Sequence, residues 1–115
     1  MPEFLYNNKL YYNPVEYALS KIGGTWKMPI LWRIKEGPKR YTEIKKSIKK
    51  ISDKMLSSQL KELEEAGMIT KKIYPEIPPR TEYKITPKGK EAVKIIITLR
   101  NYGLKLMKED GITPE

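Results

Sequence analysis

Residues 52–65 read SDKMLSSQLKELEE, and their polar side chains are sorted along the segment. Lys54, Ser57, Ser58 and Lys61 come first, and Glu62, Glu64 and Glu65 follow only at the end. At about 100° per residue, Leu60 and Leu63 fall within about 40° of Leu56, a narrow apolar seam. Lys54, Ser58, Lys61 and Glu65 gather on the opposite side, with Ser57 beside them. A helix with this small, polar, basic face suits the major groove of DNA. Serine hydroxyls bond phosphates or base edges, lysines meet phosphate or guanine, and the positive helix N-terminus favours an anion. Alone, the same pattern also describes a solvated amphipathic helix, so the neighbouring segments must discriminate.

The second candidate is KKIYPEIPPRTEYKIT, residues 71–86. Two strand-like runs, 69–74 and 81–85, frame Pro75, Pro78 and Pro79. Proline removes a ladder donor and fixes φ, whereas tight hairpins use Asn-Gly or Asp-Gly. A stiff, projecting loop loses less entropy on binding, and its prolines discourage pairing with foreign strands. Arg80 at its base, with Lys71, Lys72 and Lys84 on the strands, would flank a phosphate backbone or enter a minor groove.

Other segments must position these two. Asn13-Pro14 with Glu16 has the form of a helix start: a cap, a first-turn proline and a capping-box carboxylate. Val15, Ala18, Leu19 and Ile22 recur at helical spacing up to Gly23-Gly24. Thr25 can cap a second helix that tolerates Pro29 in its first turn or so and closes at Gly37-Pro38. Tyr41-Thr42 opens a short third helix with Ile44 and Ile48 on one side. Ser52 caps the fourth, which stops at Gly67. Thr86-Pro87 repeats the cap-plus-proline start for a last helix, roughly 88–107. A short basic helix, a tight connection, a helix with a small polar face and then a hairpin make a winged helix-turn-helix pattern. Arg40, Thr42 and Ser52 join Lys54, Ser57, Ser58, Lys61, Lys72, Arg80 and Lys84 as candidate DNA contacts.

Composition narrows the function. The 115 residues fit one domain, large enough to bury roughly two thirds of its unfolded surface. With no cysteine and no histidine, disulfides, zinc–thiolate sites, thiol catalysis and the commonest general base are excluded. Glu62 and Glu65, one turn apart, read as a solvated face rather than a catalytic pair. No metal or cofactor is expected. No apolar run is long enough for a membrane span, and the first residues lack the basic-then-apolar order of a signal peptide; a cytoplasmic protein is expected. The formal net charge is +9, from 23 basic and 14 acidic residues. Lys39, Arg40, Lys45, Lys46, Lys49, Lys50 and Lys54 are opposed within their segment only by Glu43 and Asp53. Such an excess suits a polyanionic partner.

The pieces PVEYAL, IGGTWK, ILWRI, GPKRYTEI, ISDKMLSSQLKELEEAGMI, YPEIPPRTEY and ITPKG occur in this order. Over roughly residues 13–102 the chain resembles the HxlR-type winged helix-turn-helix transcription regulators. The resemblance implies DNA-binding homodimers that repress or activate nearby genes. In many relatives, redox and electrophile sensors among them, a cysteine precedes the Pro-Val. Here the position is Asn13, so a thiol switch is excluded by chemistry and any effector must act otherwise.

The fold expected is α+β, mostly α: a winged helix-turn-helix with a two-stranded hairpin wing and flanking dimerisation helices. It forms one domain, with an arm over 1–12, a DNA-binding core over 13–86 and a dimerisation helix and tail over 87–115. The last helix is apolar on more than one face, and the arm is aromatic, more than a small monomer can cover. Phe4, Leu5, Leu10, Tyr11, Tyr12, Ile95, Ile96, Leu99, Tyr102 and Leu106 are the expected two-fold interface. Two competing readings are an arm and helix that cover each other within one chain, and a winged-helix protein-interaction module without specific DNA binding.

Overall fold

Capping decides where most elements begin, and it does so largely at the expected residues. The computed structural model describes residues 2–114. Asn13 Oδ1 accepts from the Glu16 N–H at 2.8 Å and starts α1 (Pro14–Ile22). Ser52 Oγ accepts from the Met55 N–H at 3.0 Å and starts α4 (Asp53–Glu65), which ends before Gly67 at φ +79°. Thr86 Oγ1 accepts from the Gly89 N–H at 3.0 Å and starts α5 (Pro87–Glu109). Two starts differ. α2 (Lys27–Ile34) is preceded by Trp26 rather than capped by Thr25, because the indole packs against the core and fixes the entry of the chain. α3 (Tyr41–Ser47) follows Arg40, whose N–H donates to the Glu43 carboxylate at 2.8 Å.

Leu56, Leu60 and Leu63 are buried as the seam of α4. They close on Ile30, Leu31 and Ile34 of α2, Ile44 of α3 and Ile69, one core behind the helix-turn-helix. The wing is more than the expected two strands. β4 (Ile69–Tyr74) and β5 (Arg80–Ile85) pair antiparallel, and β3 (Lys39–Arg40) adds to the other edge of β5, giving the order β3-β5-β4. Lys39 lies opposite Tyr83, and Arg40 opposite Glu82.

The arm is also a hairpin. β1 (Phe4–Tyr6) and β2 (Lys9–Tyr11) are joined by Asn7 and Asn8, at φ +50° and +63°. Two consecutive left-handed residues are what a type I′ turn requires, and asparagine tolerates them. Phe4, Tyr6 and Tyr11 pack on Tyr17 of α1, with ring centroids 5.0–5.8 Å apart. This corrects the expected apolar face of α1. Only Ile22 of that set is buried, and Val15 stays 67% exposed, because no element among the described residues covers that side. In α5, Ala92, Val93 and Ile96 face the core, while Ile95, Ile97, Leu99, Tyr102 and Leu106 remain exposed. No helix among the described residues is long and apolar enough to cross a membrane.

Candidate nucleic-acid interface

The exposed side of α4 carries Lys54, Ser57, Ser58 and Lys61 together, as the helical spacing requires. Ser52 stands at its start, with its hydroxyl oxygen engaged as the cap. Two polar chains anchor the flanks of this face. On one side, Lys27 of α2 is buried to 7% exposure, with Nζ 2.9 Å from Glu62 Oε1. The Ser58 hydroxyl donates to the other oxygen of Glu62 at a long 3.4 Å. On the other side, the Tyr41 hydroxyl donates to Asp53 Oδ1 at 2.9 Å and lies 3.4 Å from Ser57 Oγ. Burial is the first cause holding the Tyr41 phenol above its ordinary range, opposed by the Ser57 contact and reinforced by Asp53. Tyr41 thus braces α3 against α4.

Strand register sorts the wing cations onto two faces. Directly opposed residues share a face, and successive residues along a strand change it. Lys71 pairs with Tyr83, whose ring is buried, so Lys71 lies on the side toward α4. It borders a cleft with Tyr41, Ser57, Lys61 and Glu64. Lys72, Lys84, Arg80 and, through its pairing with Glu82, Arg40 occupy the other face of the sheet. The candidate contacts therefore do not form one patch. Lys71 joins the α4 set, and Lys72, Arg80, Lys84 and Arg40 form a second group.

Arg80 is held rather than free. Its guanidinium stacks on the Tyr74 ring at 3.9 Å and pairs with Glu76 at 3.1 Å. Its Nε is buried and has no hydrogen-bond partner among the described residues. The ammonium of Lys72 lies 4.8 Å from the centre of the same ring. Arg40, Thr42 and Arg80 line a cleft of about 440 Å³ between the start of α3 and the proline loop, with Ile77 fully exposed. Lys71, expected beside a phosphate backbone with the other wing cations, belongs instead with α4, and Tyr41 is the residue that the sequence reading missed. Strand alternation from the apolar Ile69 was the available indication for Lys71; nothing in the spacing announces the Tyr41 contact. No group of acidic side chains that could hold a metal occurs among the described residues.

The expected interface residues also divide. Tyr11 and Ile96, at 6% and 7% exposure, are already covered within the chain, and Phe4 is partly covered. Aromatic packing in the arm and the core seam of α5 explain this. Leu5, Leu10, Tyr12, Ile95, Leu99, Tyr102 and Leu106 remain exposed.

Comparison with known proteins agrees with this architecture. The model of the HxlR-like helix-turn-helix family matches residues 21–111. An uncharacterized HTH-type transcriptional regulator of Methanothermobacter thermautotrophicus is 45% identical over 89 residues, covering 77% of this chain and 68% of its own. Among solved structures, the redox regulator HypR in its oxidized form superposes with a TM-score of 0.75 at 33% identity, covering 81% of this chain and 96% of that one. The reduced form of the transcriptional regulator YodB from B. subtilis gives 0.71 at 32% identity, covering 83% and 94%.

Proposed function

Since this chain belongs to the HxlR-like helix-turn-helix family of transcription regulators, we propose that it binds a specific duplex DNA sequence as a homodimer and acts as a repressor. The observation that carries the reading is the exposed Lys54–Ser57–Ser58–Lys61 face of α4, backed by a sealed core and flanked by a basic wing. In this reading α4 enters the major groove and the wing follows the adjacent backbone and minor groove. The exposed apolar residues of α5 and the arm support a second copy, and an isologous pair reads a two-fold symmetric operator. Repression is the simplest consequence, since a dimer seated on a promoter excludes other proteins from it. In this reading the protein acts in the cytoplasm, with the DNA. No catalytic role is assigned, and an effector that acts through cysteine has no counterpart among these residues.

Selection of genomic fragments by the purified protein, followed by salt titration on the recovered duplex, tests this. The expected result is a palindromic motif and a log–log salt slope of about −0.9 for each phosphate neutralised. A slope near zero, as for a protein-interaction module, refutes it.

A further inference from the structure

Lys61 on α4 and Lys71 on β4 meet across an open cleft of about 420 Å³, whose walls also carry Tyr41, Ser57, Glu64 and Tyr83. Ser57 and Lys61 are one helical turn apart and point to the same side. Lys71 is placed there by its pairing with Tyr83. Neither ammonium is in an ion pair among the described residues. Tyr41 gives its proton to Asp53, so in the long 3.4 Å contact with Ser57 the serine hydroxyl donates to the phenol oxygen, a weak bond that an anionic acceptor in the cleft would displace by turning the hydroxyl. The one carboxylate in the lining, Glu64, also acts on Tyr83 at the sheet wall, adding to the burial that pushes that phenol up. Two unpaired ammoniums and a hydroxyl donor match a tetrahedral dianion or a phosphodiester, and a sugar–phosphate strand is what separates a major groove from its neighbouring minor groove. With α4 in one and the wing over the other, a backbone strand must pass between them.

We propose that this cleft seats one backbone phosphate of the bound DNA in each half-site, held by Lys61 and Lys71 with Ser57 donating a hydrogen bond. This rests on the duplex-binding reading and adds to it a defined contact on the helix-facing side of the wing.

The test combines protein and DNA changes. A synthetic duplex bearing the selected sequence is made with a single neutral methylphosphonate at each position in turn. Wild-type protein should lose roughly tenfold or more in affinity at one position per half-site, as expected for a charge-assisted contact. Lys71→Gln should lose a similar factor on unmodified DNA and almost nothing further on that modified duplex, because the two changes remove one interaction. Lys72→Gln, on the opposite face of the sheet, should combine multiplicatively with the same modification. Glu64→Gln should tighten binding by relieving repulsion. All three side chains are surface-exposed, so circular dichroism and melting of the variants should match wild type. If wild type binds with a steep salt slope but Lys71→Gln multiplies with every methylphosphonate, the phosphate seat is overturned and the DNA-binding reading stands. If wild type binds no duplex at low salt, both fall together.

Discussion

Helix propensity and packing give opposite signs for one substitution, Gly89→Ala. Gly89 lies in the first turn of α5, where alanine normally stabilises by about 1 kcal/mol. A Cβ at this position would stand 2.2 Å from the Met68 carbonyl oxygen and 2.7 Å from Ile85 Cγ1. Even a close carbon–oxygen contact needs about 3.3 Å, so the carbonyl or the helix must retreat by about 1 Å. The Met68 carbonyl accepts from the Thr86 N–H at 3.0 Å, and Thr86 in turn caps α5. Retreat therefore loses one or two hydrogen bonds at about 1 kcal/mol each and adds overpacking of about 1–3 kcal/mol. After the propensity gain, a net destabilisation of about 1–4 kcal/mol remains. Urea unfolding at one fixed protein concentration should show a lower midpoint with an unchanged slope. A Gly89→Ala protein as stable as wild type, or more so, would refute the close approach of α5 to the start of β4.

Three further outcomes follow from the packing. Glu62→Ala leaves the buried Lys27 ammonium without its partner and should cost about 1–2 kcal/mol, reduced because Glu62 is half-exposed, whereas Lys27→Met should be near neutral; both are read by urea unfolding. Burial first, then the charges of Glu64 and Tyr41, raise the Tyr83 phenol in the folded state. Its contribution is therefore complete below the unfolded value near 10 and is lost as pH rises through the folded one, so unfolding midpoints should fall in alkaline solution above about pH 10 and not below it. Leu99→Asp, at a residue 45% exposed in one chain, should give folded monomers by light scattering, while Ile96→Asp, at 7%, should unfold the chain; a folded Ile96→Asp dimer would contradict the placement of α5.

Much of the fold is legible because its boundaries rest on local chemistry. Asn13, Ser52 and Thr86 cap through their own side chains, Gly67 takes a left-handed φ, and the Leu56–Leu60–Leu63 seam follows from helical period alone. What stays hidden depends on partners distant in sequence. β3 has two residues, too few for any period, and is a strand only because Tyr83 and Glu82 lie opposite. Asn7-Asn8 joins strands of three residues each, below the length at which alternation can be recognised. Helical spacing marks Val15, Ala18 and Leu19 as one face but cannot tell a core from an uncovered surface. At the candidate site, charge pattern identifies the α4 residues and strand alternation separates Lys71 from Lys72, while the grouping of Arg40 with Lys72 depends on the β3–β5 register, and the engagement of Arg80 depends on Tyr74 and Glu76.

On the proposed reading, in which α4 and the wing seat on a duplex, the two-residue strand β3 bears on how DNA sequence would be sensed. Its last residue, Arg40, is covalently joined to the first residue of α3, and its ladder partner is β5. Backbone and hydrogen bonds thus clamp the wing to the helix-turn-helix, which acts as a caliper of fixed gap. A caliper does not yield to the object it measures, so the duplex must bring its groove spacing to the gap. Stiff A-tracts and pliable pyrimidine–purine steps meet that demand at different energetic cost. Selectivity should therefore extend to base steps that no side chain touches, visible as affinity differences among duplexes that vary only at those steps.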